Sequence, residues 1–211
     1  TVEVSIVDAA NPLAFVRWED LGLDGLESPD DIDSRPELLA RIESIRAQTA
    51  VLAGITGTPE EASATSPSVP KLTFVGAPVD YVRTDGRPQP AEETTLRAAM
   101  MSMGRLHRTY ALTGGICTAV AAALPGTLPH EVSRGADGLT RIGHPSGVLP
   151  LEAEVTHDGR TWQVPSVSAY RTARRLMEGA VLVPDELLEP PSAPTLGSTT
   201  SQTGTEVPSK C

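Results

Sequence analysis

Aromatic residues are scarce. They make up 3% of the 211-residue chain, so a core built from it has to be filled by Leu, Val, Ile and Ala. Cysteine is scarcer still: only Cys117 and Cys211 occur, the second as the last residue, so no disulfide framework can be laid out and a reducing, cytoplasmic setting is the expectation. No run approaches the ~20 apolar residues of a membrane span. The opening TVEVSIVDAANPLAF also lacks the basic flank and unbroken apolar stretch of a secretion signal. Basic residues are outnumbered, 17 Lys and Arg against 27 Asp and Glu, and the net charge of −10 repels phosphate backbones and anionic lipid. Neither a nucleic-acid nor a membrane partner is expected. Small anions remain open, because a local cluster of Arg or backbone N–H groups outweighs a distant field within a Debye length. His107, His130, His144 and His157 show no metal-ligand spacing and no second cysteine lies near Cys117, so no metal is expected. The phosphate-loop pattern G-x-x-x-x-G-K-[ST] is absent, which removes the case for a nucleotide cofactor.

What is present indicates a packed globular unit, with 39% hydrophobic residues. TVEVSIVDAANP alternates apolar and polar residues as a strand that stops at Asn11-Pro12. SRPELLARIESIRAQTAVLAG predicts a helix, with Ser34 and Glu37 as a capping box, Leu38, Ile42, Ile45 and Leu52 on one face, and Gly54 as the stop. Residues 57–70 are polar and Pro-rich and suggest a mobile loop, followed by the strand KLTFVGAPVDYV. The segment from Glu92 to Leu106 suits a helix interrupted by Gly104, and within Leu112 to Thr127 the residues Thr113, Gly114 and Gly115 are expected to lead into another helix that breaks at Pro125-Gly126. Four strand-like pieces follow, around Leu139 to Ile142, then GVLPLEAEV, TWQVPSVSAY and GAVLVP, the middle two joined by the Asp-Gly turn in HDGR. The tail EPPSAPTLGSTTSQTGTEVPSKC has little to bury and is expected to be disordered.

Chemistry concentrates in LTGGICTAVAAALPGT. A cysteine at a helix N-terminus is stabilised as a thiolate by unpaired N–H groups and the macrodipole, and glycines just upstream let a substrate carboxylate approach the backbone. Cys117 fits that description, and it equally fits a small hydrophobe buried in an Ala-rich helix. GHPSG, residues 143–147, is either a carboxylate-binding turn using backbone N–H groups and Ser146 or a plain tight turn between strands. Asn11 could reach a substrate oxygen or simply end a strand, and Arg171 and Arg174 read as solvated surface.

Four blocks, VDAANPLAFV, LTGGICTAVAAALPGT, IGHPSGVLPLEAEV and YRTARRLMEGAVLVP, occur in that order and resemble the 2-methylaconitate cis-trans isomerase (PrpF-like) family, which includes relatives acting on methylitaconate and oxalomesaconate. The resemblance runs from Val2 to Pro184. It implies an α+β, diaminopimelate epimerase-like fold of two pseudo-symmetric halves, each with β-sheets around a central helix and with the substrate cleft between them. This chain matches the C-terminal half only, so residues 1–188 are expected to form that half and residues 189–211 a disordered tail. The implied activity is proton transfer between carbons of a small unsaturated tricarboxylate without cofactor or metal. Cys117 is the implied catalytic acid/base, facing the cleft, and Gly114, Gly115, Ile116, Thr118, Ser146, Gly147 and Asn11 the implied substrate contacts. The family's N-terminal half, with its Asn-Cys-Gly-Asn type turn and catalytic lysine, has no counterpart here. An incomplete isomerase is therefore expected, the alternative being an inactive fragment that serves as a binding or vestigial protein. In the two-halved fold the chain's end crosses back to the other half, so Val181, Leu182 and Val183 are expected to form an exposed apolar edge that drives self-association.

Overall fold

The first strand is an edge strand by composition: β1 (Ser5–Asp8) alternates half-buried with exposed residues and pairs antiparallel with β2 (Pro12–Arg17). The structure is a computed structural model and describes residues 1–135 and 138–184. A 3-10 turn (Glu19–Leu21) leads to helices α1 (Pro29–Asp33), α2 (Pro36–Leu52) and α3 (Pro59–Thr65). Then come β3 (Lys71–Gly76), the short hairpin of β4 (Tyr81–Val82) and β5 (Pro88–Gln89), and β6 (Leu96–Ser102) with its return strand β7 (Arg105–Leu106). Helices α4 (Leu112–Ala123) and α5 (Leu128–Val132) precede β8 (Leu139–His144), β9 (Gly147–His157) and β10 (Trp162–Ala169). The class is α+β. Residues 1–171 form one compact unit, and residues 172–184 belong to a second unit in which no helix or strand occurs among the described residues.

One mixed sheet runs β1-β2-β3-β6-β8-β9-β10, with β2–β3 and β6–β8 parallel and the remaining neighbours antiparallel. The sheet curls, because α4 touches strands from both of its ends, β1 and β2 at one and β9 and β10 at the other. Side-chain alternation divides the core between two faces. Leu13 and Phe15 of β2, Leu96, Ala98 and Met100 of β6, Ile142 and Leu151 pack on the α4 face. Ala14, Val16, Leu72, Phe74, Ala99 and Met101 face the other way, onto Trp18, Ile32 and Ile42.

Double-sided burial explains the principal departure from the sequence expectations. The segment 96–102 is a central strand and no helix, since a strand covered on both faces has no polar alternation and reads as a continuous apolar run. Met103 and Gly104, both at positive φ (50° and 79°), turn the chain into β7 where a helix interruption was expected. Asn11-Pro12 likewise ends one strand and starts another, because Pro12 is the first residue of β2 and has no ladder N–H to lose. The capping box lies six residues earlier than expected: Ser28 Oγ accepts from Asp31 N (3.2 Å) and Asp31 Oδ2 accepts from Ser28 N (2.9 Å). Ser34 instead ends α1, and α2 starts at Pro36 with no side-chain cap.

Part of the 57–70 loop is helical. Thr58 Oγ1 accepts from Glu61 N at 3.2 Å and Pro59 occupies the first helical position, the usual opening of a short helix. Buried Arg46 fixes it to α2, pairing with Glu43 (2.6 Å) while donating to the carbonyls of Ala62 (3.1 Å) and Ser66 (2.9 Å). The expected strand GAVLVP is absent, so no apolar strand edge forms at Val181, Leu182 and Val183. The tail from residue 189 lies outside the described residues.

On α2, Ile42 is 3% exposed whereas Leu52, expected on the same face, is 77% exposed at the helix end. Ile42→Ala should therefore cost about 2–5 kcal/mol in urea unfolding, and Leu52→Ala less than about 0.5 kcal/mol.

Candidate functional site

Helix α4 opens without a cap. Ala111 occupies the N-cap and has no side-chain oxygen to offer, and among the described residues no side-chain bond to the first-turn N–H groups is found. Gly115 N bonds Ala111 O (2.8 Å), which leaves the Leu112, Thr113 and Gly114 amides as the open end of the helix dipole, with the Thr113 side chain exposed. The segment leading into that end, residues 107–111, is tied to the 143–147 turn between β8 and β9. Ser146 Oγ donates to Arg108 O at 2.5 Å, and the Tyr110 and His144 rings lie 6.5 Å apart.

His144 is half-buried and its Nδ1 accepts from Ser146 N at 3.2 Å, so the neutral ring carries its proton on Nε2. Burial, followed by the positive charge of Arg97, pushes its pKa down to about 4. At neutral pH this imidazole is therefore an uncharged donor beside the segment that leads into α4. The residue was weighed in the sequence only as a metal ligand; its place inside GHPSG was the signal available.

The expected site residues divide into two groups. Ser146 and Gly147 lie in the turn that abuts the α4 lead-in, and Asn11 lies in the β1–β2 loop beside Ala10, whose φ of 68° is a left-handed conformation for a residue with a Cβ. The α4 group is placed differently from expectation. Cys117 is the sixth residue of the helix, fully buried, with its Sγ donating to Val7 O at 3.2 Å; it neither starts the helix nor faces open space. Burial pushes its thiol up to about 12, opposite to what a catalytic thiolate needs. Thr118 is also interior, donating to Gly114 O (2.8 Å) and paired with Tyr110 Oη (2.8 Å), and half-buried Ile116 packs onto the core. Gly114 and Gly115 serve close packing: a Cβ at Gly114 would collide with the Met100 methyl, and one at Gly115 would sit 2.7 Å from Leu149 Cδ2.

A profile of the PrpF protein family matches residues 1–184. The chain belongs to the PrpF family. It is 43% identical over 185 residues to 3-methylitaconate isomerase of Eubacterium barkeri, covering 86% of this chain and 48% of that protein. With 2-methyl-aconitate isomerase of Shewanella oneidensis (strain MR-1) it shares 38% identity over 181 residues, covering 85% and 45% respectively. The crystal structure of methylitaconate-delta-isomerase superposes with a TM-score of 0.75 at 40% identity, over 95% of this chain and 50% of that one. This PrpF chain thus spans about half the length of the relatives it matches. Among its described residues no helix is long and apolar enough to cross a membrane, and no group of three or more His, Cys, Asp or Glu could hold a metal ion.

Two outcomes follow from the burial of these groups. Iodoacetamide at pH 8 should leave Cys117 unmodified in the native chain and label it in urea, as read by peptide mass mapping; rapid native labelling would contradict the packing seen here. For His144, the folded-state pKa lies below the unfolded value near 6.5, so its contribution to stability is intact above that pH and is lost as pH falls toward about 4. Urea titrations should show a smaller loss between pH 7 and 4.5 for His144→Gln than for the native chain.

Proposed function

We propose that this chain is the carboxylate-binding part of a cofactor-independent isomerase that moves a proton along the carbon skeleton of a small unsaturated di- or tricarboxylic acid, within a diaminopimelate epimerase-like architecture. The observation that carries the reading is the uncapped N-terminus of α4, whose lead-in at Arg108 is bonded to the 143–147 turn. A carboxylate there would accept from the Leu112, Thr113 and Gly114 amides, each charge-assisted bond contributing about 1.5–3 kcal/mol gross of ordering costs. Neutral His144 would add a donor that carries no charge, and so holds a carboxylate without competing for its proton. The names of the relatives, isomerases of methylitaconate and methyl-aconitate, supply the substrate class.

Cys117 is left out of this chemistry. A thiol that is buried, raised in pKa and bonded to a main-chain carbonyl supports a packing role. The acid and base that exchange the substrate proton are then to be sought outside the 211 residues. Burial of Cys117 also favours a second reading, in which the chain by itself binds the acid without turning it over.

Titration of the 15N-labelled chain with 3-methylitaconate tests the assignment. Shifts are expected at the amides of residues 112–114 and 144–147, with no isomerisation by the chain alone; no response of these amides at millimolar acid would remove the proposal. Turnover by the isolated chain that disappears in Cys117→Ser would restore the cysteine to the mechanism.

A further inference from the structure

The 143–147 turn is held from behind. Its carbonyl oxygens belong to the same strip of chain that would meet a carboxylate, and a carbonyl pointing at an anion repels it. In this structure four of them are taken up by donors from the β4–β5 hairpin and β6. Arg97 Nη1 donates to Gly143 O at 3.0 Å. Tyr81 Oη lies 2.7 Å from His144 O and 2.8 Å from Gly147 O, one hydroxyl shared between the two ends of the turn. Thr84 N donates to Pro145 O at 2.9 Å, and Thr84 Oγ1 pairs with Ser146 Oγ at 2.9 Å.

These donors lie on the sheet face opposite α4. Leu96 and Ala98 point to the α4 face, so the intervening Arg97 points away from it, and the Tyr81 ring stacks under its guanidinium with 4.0 Å from Cζ to the ring centroid. Arg97 is 2% exposed, is 5.6 Å from the Trp18 ring centroid on another side, and donates also to Gly25 O and Ala98 O. Among the described residues it has no ion-pair partner, so its charge is desolvated and not neutralised by contact with a carboxylate. A buried cation is costly and is ordinarily paired. This one is satisfied by carbonyls and aromatic faces, with the Glu27 carboxylate acting on it only from beyond contact distance, so its field also reaches the turn that it supports.

We infer that Tyr81, Thr84 and Arg97 are positioning residues that preset the 143–147 turn for an acid, drawing its carbonyls to the face away from α4 and placing an unpaired positive charge directly behind it. The inference rests on the functional reading above. It goes further in naming what makes that turn receptive, and none of the three residues needs to touch the substrate.

Tyr81→Phe isolates the effect, because it keeps the ring under Arg97 and removes only the hydroxyl. Exchange of the His144 and Ser146 amides should quicken about tenfold while the β3 amides keep their protection, and the dissociation constant for 3-methylitaconate should rise about tenfold. A role confined to general stability would speed β3 exchange as well and leave affinity unchanged in the folded fraction. Thr84→Val supplies the same comparison should Tyr81→Phe fold poorly, and Arg97→Lys, which retains the charge but not the fork, should weaken binding less than Arg97→Met. Unchanged exchange and affinity in folded Tyr81→Phe and Thr84→Val would overturn the inference. If the native turn does not respond to the acid at all, the functional reading fails first, and quickened exchange in the variants would then mark a clamp with no ligand role, overturning the presetting claim separately.

Discussion

Helix α4 lies close against the curl of the sheet because its first turn carries no side chain where it meets Met100 and Leu149. Gly114 and Gly115 occupy those positions, and a methyl group would push into the buried Met100 side chain at the first and the half-buried Leu149 side chain at the second. The close approach fixes the axis of α4 relative to β2, β6 and β9, and with it the direction in which the helix dipole points. It also sets the depth of Cys117, which at the sixth helical position comes to rest against Val7 of β1.

The chemistry of the candidate site depends on short distances in a molecule whose overall charge works against it. A net charge of −10 disfavours an approaching polyacid at long range, yet the field is screened over about 8 Å at physiological salt. At the proposed site the acid would meet helix amides and a neutral imidazole, with the buried Arg97 behind the turn. Arg97 couples the two parts: it stacks on Tyr81, supports the turn through Gly143 O, and contributes to keeping His144 uncharged. A turn whose carbonyls are already bonded is rigid and has few acceptors left to oppose an anion, so positioning and electrostatics come from the same contacts.

Local signals were legible in the sequence. The long α2 helix and the Asp-Gly hairpin between β9 and β10 are set by neighbours a few residues apart, and both are found where their residues put them. The short α3 helix was equally local, in Thr58-Pro59-Glu60-Glu61, and was obscured only by the polar, Pro-rich composition around it. The PrpF blocks likewise lie along the chain in an order that can be read without coordinates, and the family they indicate is the one matched over residues 1–184.

What the sequence by itself determined, then, is family and the α+β class. Tertiary structure decided which atoms of the two candidate stretches are buried and which are open. β6 was unreadable as a strand because burial on both faces erased its alternation, a condition imposed by partners far away in sequence. Cys117 looked like a helix-start acid/base thiolate because two glycines precede it, but the helix begins at Leu112, five residues before the cysteine, and its sulfur meets a carbonyl 110 residues away. Tyr81, Thr84 and Arg97 left no motif at all, since their meaning lies in reaching one turn from the β4–β5 hairpin and from β6. A pattern along one dimension records spacing; burial, pKa and the aim of a side chain depend on what non-local folding brings against it.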